Sequence, residues 1–190
     1  IYKKQTCVPK KLQRKSQQRF QANVPITKAY FGSHWENYFI FYKPKDIVSG
    51  DFYWVDRNVN NKKQIFFAAA DCTGHGVPGA MVSVICNNAL NRSVREYKLL
   101  EPGEILDKTR EIVIQEFEKN DGGIVNDGMD ISFCTLSGNK LSYSGAYNPL
   151  WIIRNNKIIE ISADKQPIGT YHEYKDFTTH TFELIKGDTI

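Results

Sequence analysis

The sequence predicts an α+β fold built from antiparallel sheets, and three observations carry that reading. Strand-like segments come first, two helix-like segments follow, and strands then return; such an order gives α+β architecture rather than an alternating parallel sheet. Short turn signals, Asn60-Asn61-Lys62 and Ser137-Gly138-Asn139-Lys140, join neighbouring strands as hairpins. Residues 129–136 alternate, with Met129, Ile131 and Phe133 on one face and Asp130, Ser132 and Cys134 on the other.

Residues 1–24 are polar, basic and Gln-rich, with a helix-compatible stretch from Lys11 to Ala22 that Pro25 stops. Tyr38-Phe39-Ile40-Phe41-Tyr42 reads as an aromatic strand, ended by Lys43-Pro44-Lys45-Asp46. The next strand covers 52–58, and 64–70 returns beside it. Residues 65–70 are apolar without alternation, which predicts a strand covered on both faces. A helix is predicted over 77–97, with Pro78 in its first turn, where a missing N–H costs nothing. Ala80, Met81, Val84, Ile85, Ala89 and Leu90 would give it a broad apolar face. Pro102 opens a second helix whose stripe is Ile105, Leu106, Ile112, Val113 and Phe117, and Asp121-Gly122-Gly123 ends it. Both stripes read as core packing rather than as a cofactor box. Later strands fall at 141–146, 150–154, 157–161 and 178–184, and the last residues begin another.

The length suits one domain with a substantial core plus an arm, residues 1–35, leaving the domain at 36–190. The net charge of +4 hides an asymmetry. Residues 1–35 hold eight Lys and Arg and no acid, so subtracting those eight charges leaves −4 on 36–190. That balance argues against a nucleic-acid binder, and the aromatics sit in apolar runs rather than between basic residues. The arm reads as a solvated linker, with contact to phosphates or lipid headgroups as the alternative. No apolar run approaches the length of a membrane span, and no signal peptide opens the chain. Cys7, Cys72, Cys86 and Cys134 are scattered, which fits reduced thiols and a cytoplasmic location, with tethering through regions outside this chain left open. Cys72-Thr73-Gly74-His75 has the spacing of half a zinc site, and no second half exists.

The chemistry concentrates where the run from Ile65 ends on Asp71 and enters the glycine-punctuated turn Cys72-Thr73-Gly74-His75-Gly76. A carboxylate at a strand end is expensive to desolvate unless its charge is compensated, and a bound cation is the simplest compensation. Gly74 and Gly76 admit backbone angles closed to other residues. Asp51, in Ser49-Gly50-Asp51-Phe52-Tyr53-Trp54, starts one hairpin strand, and Asp71 ends the other. Antiparallel pairing therefore brings the two carboxylates together. On residue type alone, a second reading stands beside this one: Asp71 caps the turn and Asp51 tips a hairpin.

Five segments in this order, SGDFYW, ADCTGHGVPGAMVS, DGMDISFCTL, LSYSGAYNPLWIIR and KQPIG, resemble the SpoIIE/RsbU-type serine/threonine phosphatases, bacterial relatives of protein phosphatase 2C. The resemblance runs from about Phe39 to the C-terminus. It implies an α-β-β-α sandwich of two antiparallel sheets flanked by helices. It also implies two Mn²⁺ or Mg²⁺ ions, cations that favour oxygen ligands. Two such ions neutralise phosphoryl oxygens and make a water between them hydroxide-like near neutral pH. By the resemblance, Asp71 bridges both metals, the Cys72 carbonyl is a ligand and Asp51 serves the same cluster, so Asp51 and Asp71 are the catalytic candidates. Gly74, His75, Gly76 and Asp130 are candidates for substrate contact or loop shaping. For His75 the alternative is a general acid, and for Asp130 a structural hydrogen-bonding role.

Two departures from the family pattern stand out. Tyr147 occupies a position where many relatives have a histidine. The later Thr-Asp-Gly and Asp-Asp-x-Thr segments, both suppliers of metal carboxylates, do not occur. The expectation is therefore a C-terminally incomplete phosphatase domain, feebly active as it stands, drawn from a longer protein with an upstream sensor domain. Its expected activity is hydrolysis of phosphoserine or phosphothreonine on a phosphorylated signalling protein such as an anti-sigma-factor antagonist. The alternative is a catalytically incomplete partner-binding module that keeps the fold.

Overall fold

In the computed structural model of the chain, the structure describes residues 40–44, 46–61, 63–121 and 127–190. The basic arm at 1–35, its helix-compatible stretch, and the start of the expected aromatic strand lie outside the described residues. Of that aromatic strand, Ile40, Phe41 and Tyr42 form no strand, and Phe41 is 83% exposed. Tyr42 is held by its side chain instead. Its ring lies edge-on to Tyr53 at 6.1 Å, and its hydroxyl donates to the Asp51 carbonyl.

The first hairpin joins β1 (Phe52–Arg57) to β2 (Gln64–Cys72). Asn58 shapes the turn: its side-chain oxygen accepts from the Asn60 N–H at 2.9 Å, and its amide donates to Gln64 at 2.7 Å. Two helices follow, α1 (Gly76–Arg95) and α2 (Pro102–Asp121). The chain then returns to the sheet through β3 (Gly128–Ser137) and β4 (Lys140–Ala146). A second hairpin pairs β5 (Leu150–Arg154) with β6 (Lys157–Ile161). Asn155 and Asn156 both take positive φ at its turn, the pattern of a two-residue primed turn. A two-residue strand, β7 (Ile168–Gly169), pairs with the start of β3, and β8 (His180–Glu183) closes the outer edge. The main sheet has the order β1-β2-β3-β4-β8, antiparallel throughout, with β7 beside β3. The second sheet is the β5–β6 hairpin.

The alternation in β3 sorts the core into two layers. Met129, Ile131 and Phe133 face the helices and join Trp54, Phe66 and Ala68 with Cys86, Leu90, Ile105 and Val113 in one apolar cluster. Cys134 and Leu136 face the other way and pack with Leu141 and Tyr143 against Leu150, Ile152 and Ile161 of the small sheet. Helices, main sheet and hairpin thus stack as layers, and the α+β expectation with antiparallel sheets holds.

Two expectations are corrected. The strand at 64–72 is covered on both faces only at its beginning: Ala68, Ala70 and Cys72 are buried against the helices, but Ala69 and Asp71 on the opposite face are exposed. Small alanines there leave the far end of the row open to solvent. In α1 the buried residues are Gly79, Val82, Cys86, Ala89, Leu90, Ser93 and Val94, whereas Met81 and Val84 are exposed. Apolar residues lie on both sides of this helix, and the packing partner decides which side is core. The stripe predicted for α2 lies inward as expected.

Candidate functional site

The register of the sheet builds the site. Phe52 pairs with Ala70, so one further step sets Asp51 opposite Asp71. Asp71 pairs directly with Asp130 across β2 and β3. Ile131 pairs with Ala146, the last residue of β4, so Tyr147 follows just past that strand end, within reach of Asp130. Four neighbouring strand ends therefore lie side by side, with Asp51, Asp71 and Asp130 in one transverse row and Tyr147 beyond the fourth. Directly opposed residues of an antiparallel pair project to the same face. That face is the one turned away from the helices, because the neighbours Ala70 and Cys72 point into the helix-side core.

The first two carboxylates lie close enough for each charge to act on the other. The Asp71 carboxyl is raised above the ordinary carboxylate range. Loss of water against the strand row is the largest cause, followed by the neighbouring Asp51 carboxyl and the charges of Asp51 and Asp130. Asp130 is also raised, by its partial burial. Asp51 is fixed by its main chain: its N–H donates to the Ser49 hydroxyl at 3.0 Å and its carbonyl accepts from Tyr42 at 3.1 Å.

The turn after Asp71 folds for local reasons. Gly74 and Gly76 take φ of 85° and 63°, as the glycine pattern predicts. Gly79, in the first turn of α1, lies so close to the turn that a Cβ there would sit 2.5 Å from the Gly74 carbonyl. Thr73 ties the turn to β3, its N–H donating to the Gly128 carbonyl at 2.9 Å and its hydroxyl accepting from the Gly128 N–H at 3.2 Å. The Cys72 thiol is buried toward the helices beside Cys86, and its pKa is pushed far up by that neighbour and by burial. The Cys72 carbonyl lies over Gly50, 3.0 Å from where a Cβ would stand. His75 is exposed and its Nδ1 lies 3.2 Å from the Asp46 carboxylate. Cys72 and His75 therefore point to different surroundings and do not form half of a zinc site.

A pocket of about 180 Å³ opens along the row, lined by Asp71, Thr73, Asp127, Asp130, Gly169 and Thr170 among others. Among the described residues no basic side chain lines it. Gly128 lets β7 cross here, since a Cβ would strike the Ile168 carbonyl. The KQPIG segment is thereby given a place: Pro167 and Gly169 form the pocket wall. Thr170 is a pocket residue that spacing does not single out, and it arrives through the pairing of β7 with the start of β3. Among the described residues, no group of three or more His, Cys, Asp or Glu side chains converges tightly enough to hold a metal ion alone.

A three-layer antiparallel architecture with a carboxylate row at the strand ends defines a class, that of the protein phosphatase 2C fold. Residues 61–190 match the model of the family described as Stage II sporulation protein E (SpoIIE). The chain belongs to the SpoIIE family. It is similar to the SiaA-PP2C domain of Pseudomonas aeruginosa, with a TM-score of 0.76 and 22% identity over 94% of this chain and 68% of that one. It is similar to the PP2C phosphatase domain of SpoIIE from Bacillus subtilis, with a TM-score of 0.58 and 19% identity over 74% of this chain and 39% of that one. A third likeness is to RsbX in complex with magnesium, with a TM-score of 0.55 and 16% identity over 79% of this chain and 68% of that one. No curated protein matches the chain. No helix among the described residues is long and apolar enough to cross a membrane.

Proposed function

We propose that this chain is the phosphatase portion of a bacterial signalling protein and hydrolyses phosphoserine or phosphothreonine with divalent metal. The observation that carries the reading is the juxtaposition of Asp51, Asp71 and Asp130 on three adjacent strands. Neighbouring like charges raise one another's free energy, and among the described residues no basic side chain lines the pocket to relieve them. An oxygen-only donor set of this kind fits Mg²⁺ or Mn²⁺. Asp51, Asp71 and the Cys72 carbonyl would hold the first ion, with Asp130 on the β3 side. A pair of such ions supplies neutralisation of the phosphoryl oxygens and an acidified water. The chain's own part is to fix the carboxylates on strand ends, so that little reorganisation is needed on binding. His75, paired with Asp46 in the solvent, shapes the loop.

A second reading, a partner-binding module that keeps the fold, draws on the lack of a complete three-residue cage among the described residues. The substrate class proposed is a phosphorylated signalling protein such as an anti-sigma-factor antagonist, met in the cytoplasm, with an upstream sensor domain in the full-length protein. Hydrolysis of a phosphothreonine peptide and of nitrophenyl phosphate with Mn²⁺ tests the proposal. Turnover that requires the metal and falls at least a hundred-fold in Asp71→Asn is expected, in line with the loss of a charged group aimed at the reacting centre. Turnover untouched by Asp71→Asn, or absent with every divalent ion, would overturn it.

A further inference from the structure

The line of strand ends does not stop at the carboxylates. Beyond the fourth, Tyr147 stands just past β4 in a backbone conformation that suits a tyrosine poorly. The Asn148 N–H donates to the Ala146 carbonyl at 2.6 Å, which closes a three-residue turn around Tyr147 at φ 56°. Positive φ marks the rarer and more strained form of that turn, and for a bulky side chain it is an outlier. The other non-glycine residues with positive φ have ordinary settings: Asn155 and Asn156 in the hairpin turn and Lys98 just past the end of α1. Burial does not repay the strain at Tyr147, whose side chain leaves the residue 43% exposed.

The surroundings over-determine this geometry. The Tyr147 N–H donates to the Asp164 carbonyl at 2.9 Å, and Asp164 in turn donates to the Gly145 carbonyl at 3.0 Å. The Tyr143 hydroxyl donates to the Asn148 carbonyl at 2.7 Å. So held, the Tyr147 hydroxyl lies 3.4 Å from that of Tyr171, the residue following Thr170 of the pocket wall. Tyr147 thus stands just past the end of β4 within reach of Asp130, whose carboxylate lines the pocket with those of Asp71 and Asp127. A phosphate monoester held by cations on the Asp51–Asp71 side would leave at least one oxygen facing away from them. With no Lys or Arg among the described residues of the lining, a neutral donor would meet that oxygen or it would stay in water. Strain held in place beside a reactive cluster is the pattern expected of a residue that works on a ligand.

We propose that Tyr147, paired with Tyr171, is a substrate-contacting residue whose hydroxyl donates to the outward phosphoryl oxygen of the phosphoserine or phosphothreonine. This rests on the phosphatase reading and deepens it. The consequence is a binding signature rather than a metal signature. Tyr147→Phe keeps the ring and the turn and removes the donor. It should raise KM for a phosphothreonine peptide about ten-fold, the loss of one hydrogen bond to a charged group, and weaken peptide binding by calorimetry to the same degree, while Mn²⁺ affinity stays within two-fold. Tyr147→Gly relieves the strain, so it should melt higher than the native chain yet bind the peptide no better than Tyr147→Phe. Unchanged peptide affinity in Tyr147→Phe, or a parallel loss of Mn²⁺ affinity, would overturn the inference, the latter because the tyrosine would then act through Asp130. Peptide binding is measured on the same samples as turnover. A chain that binds the peptide through Tyr147 but hydrolyses nothing supports this inference while sinking the catalytic reading. A chain that loses activity in Asp71→Asn but ignores Tyr147→Phe does the reverse.

Discussion

Substitution Asp71→Asn should make the metal-free protein more stable and the manganese-loaded protein less so. The carboxyl of Asp71 feels the charge of Asp51 beside it and that of Asp130 opposite it. Two unit charges at about 4 Å repel by about 1 kcal/mol in water. Asp71 is exposed, and ionic screening reduces that figure to roughly half a kcal/mol. For a chain of this size the gain corresponds to about 1–2 °C in melting temperature. Manganese at ten times its Kd adds about 1.4 kcal/mol to a protein that binds it only when folded, or about 3–5 °C. In chelator the Asn variant should melt above the native protein, and in manganese the order should reverse. Scanning calorimetry or dye-monitored melting of both proteins, with and without the ion, reads the crossing. An Asn variant that melts at or below the native protein in chelator would refute the repulsion. One that rises in manganese as far as the native protein would refute the assignment of the ion to this row.

The same pair of proteins gives a pH signature with a definite sign. The folded-state pKa of Asp71 lies above its ordinary value of 3.8, so the folded chain holds the proton more tightly than the unfolded one. Stability from this group is therefore full below pH 3.8 and lost as pH rises through the folded pKa. Asn cannot titrate. The advantage of the variant in chelator should be near zero at about pH 3.5 and reach its plateau at neutral pH.

The remaining predictions concern His75 and the thiols. His75→Asn should lower manganese-dependent turnover less than ten-fold, because the ring is exposed and engaged with Asp46. Loss of a general acid costs about 10²–10⁴-fold, so a drop of that size in steady-state rates would return His75 to the chemistry. Cys72, Cys86 and Cys134 are buried; the neighbouring Cys86 and then burial push the Cys72 thiol up, and burial alone pushes up that of Cys134. In a Cys7→Ser background, a thiol reagent should modify none of them until denaturant is added; fast modification of the folded protein would contradict the packing of the main sheet between α1 and the β5–β6 hairpin.

How much of this was legible in the sequence follows from how far each contact reaches along the chain. Asp51 and Asp71 belong to one hairpin, and a turn signal at Asn60-Asn61 is enough to set their strand ends together. Asp130 reaches Asp71 only after two helices have intervened, and no local signal fixes which residue of β3 stands opposite which residue of β2. Alternation gave the face of Asp130 correctly but not its neighbour. Tyr147 required a further pairing, and its strain is a property of backbone angles that residue type would argue against. The two-residue β7 is too short for any periodicity, so KQPIG could be noticed without being placed. The outward side of α1 failed for the opposite reason, an excess of signal: apolar residues at Met81 and Val84 fit a helical stripe as well as Val82 and Cys86 do, and only the sheet beneath decides. Local chemistry therefore located two members of the row, and the third stands there because a one-residue slip of β3 against β2 would carry Met129, Ile131 and Phe133 out of the helix-side core. The packing that buries those three side chains is what holds Asp130 opposite Asp71, so core and site are set by one register and a change in either is felt by both.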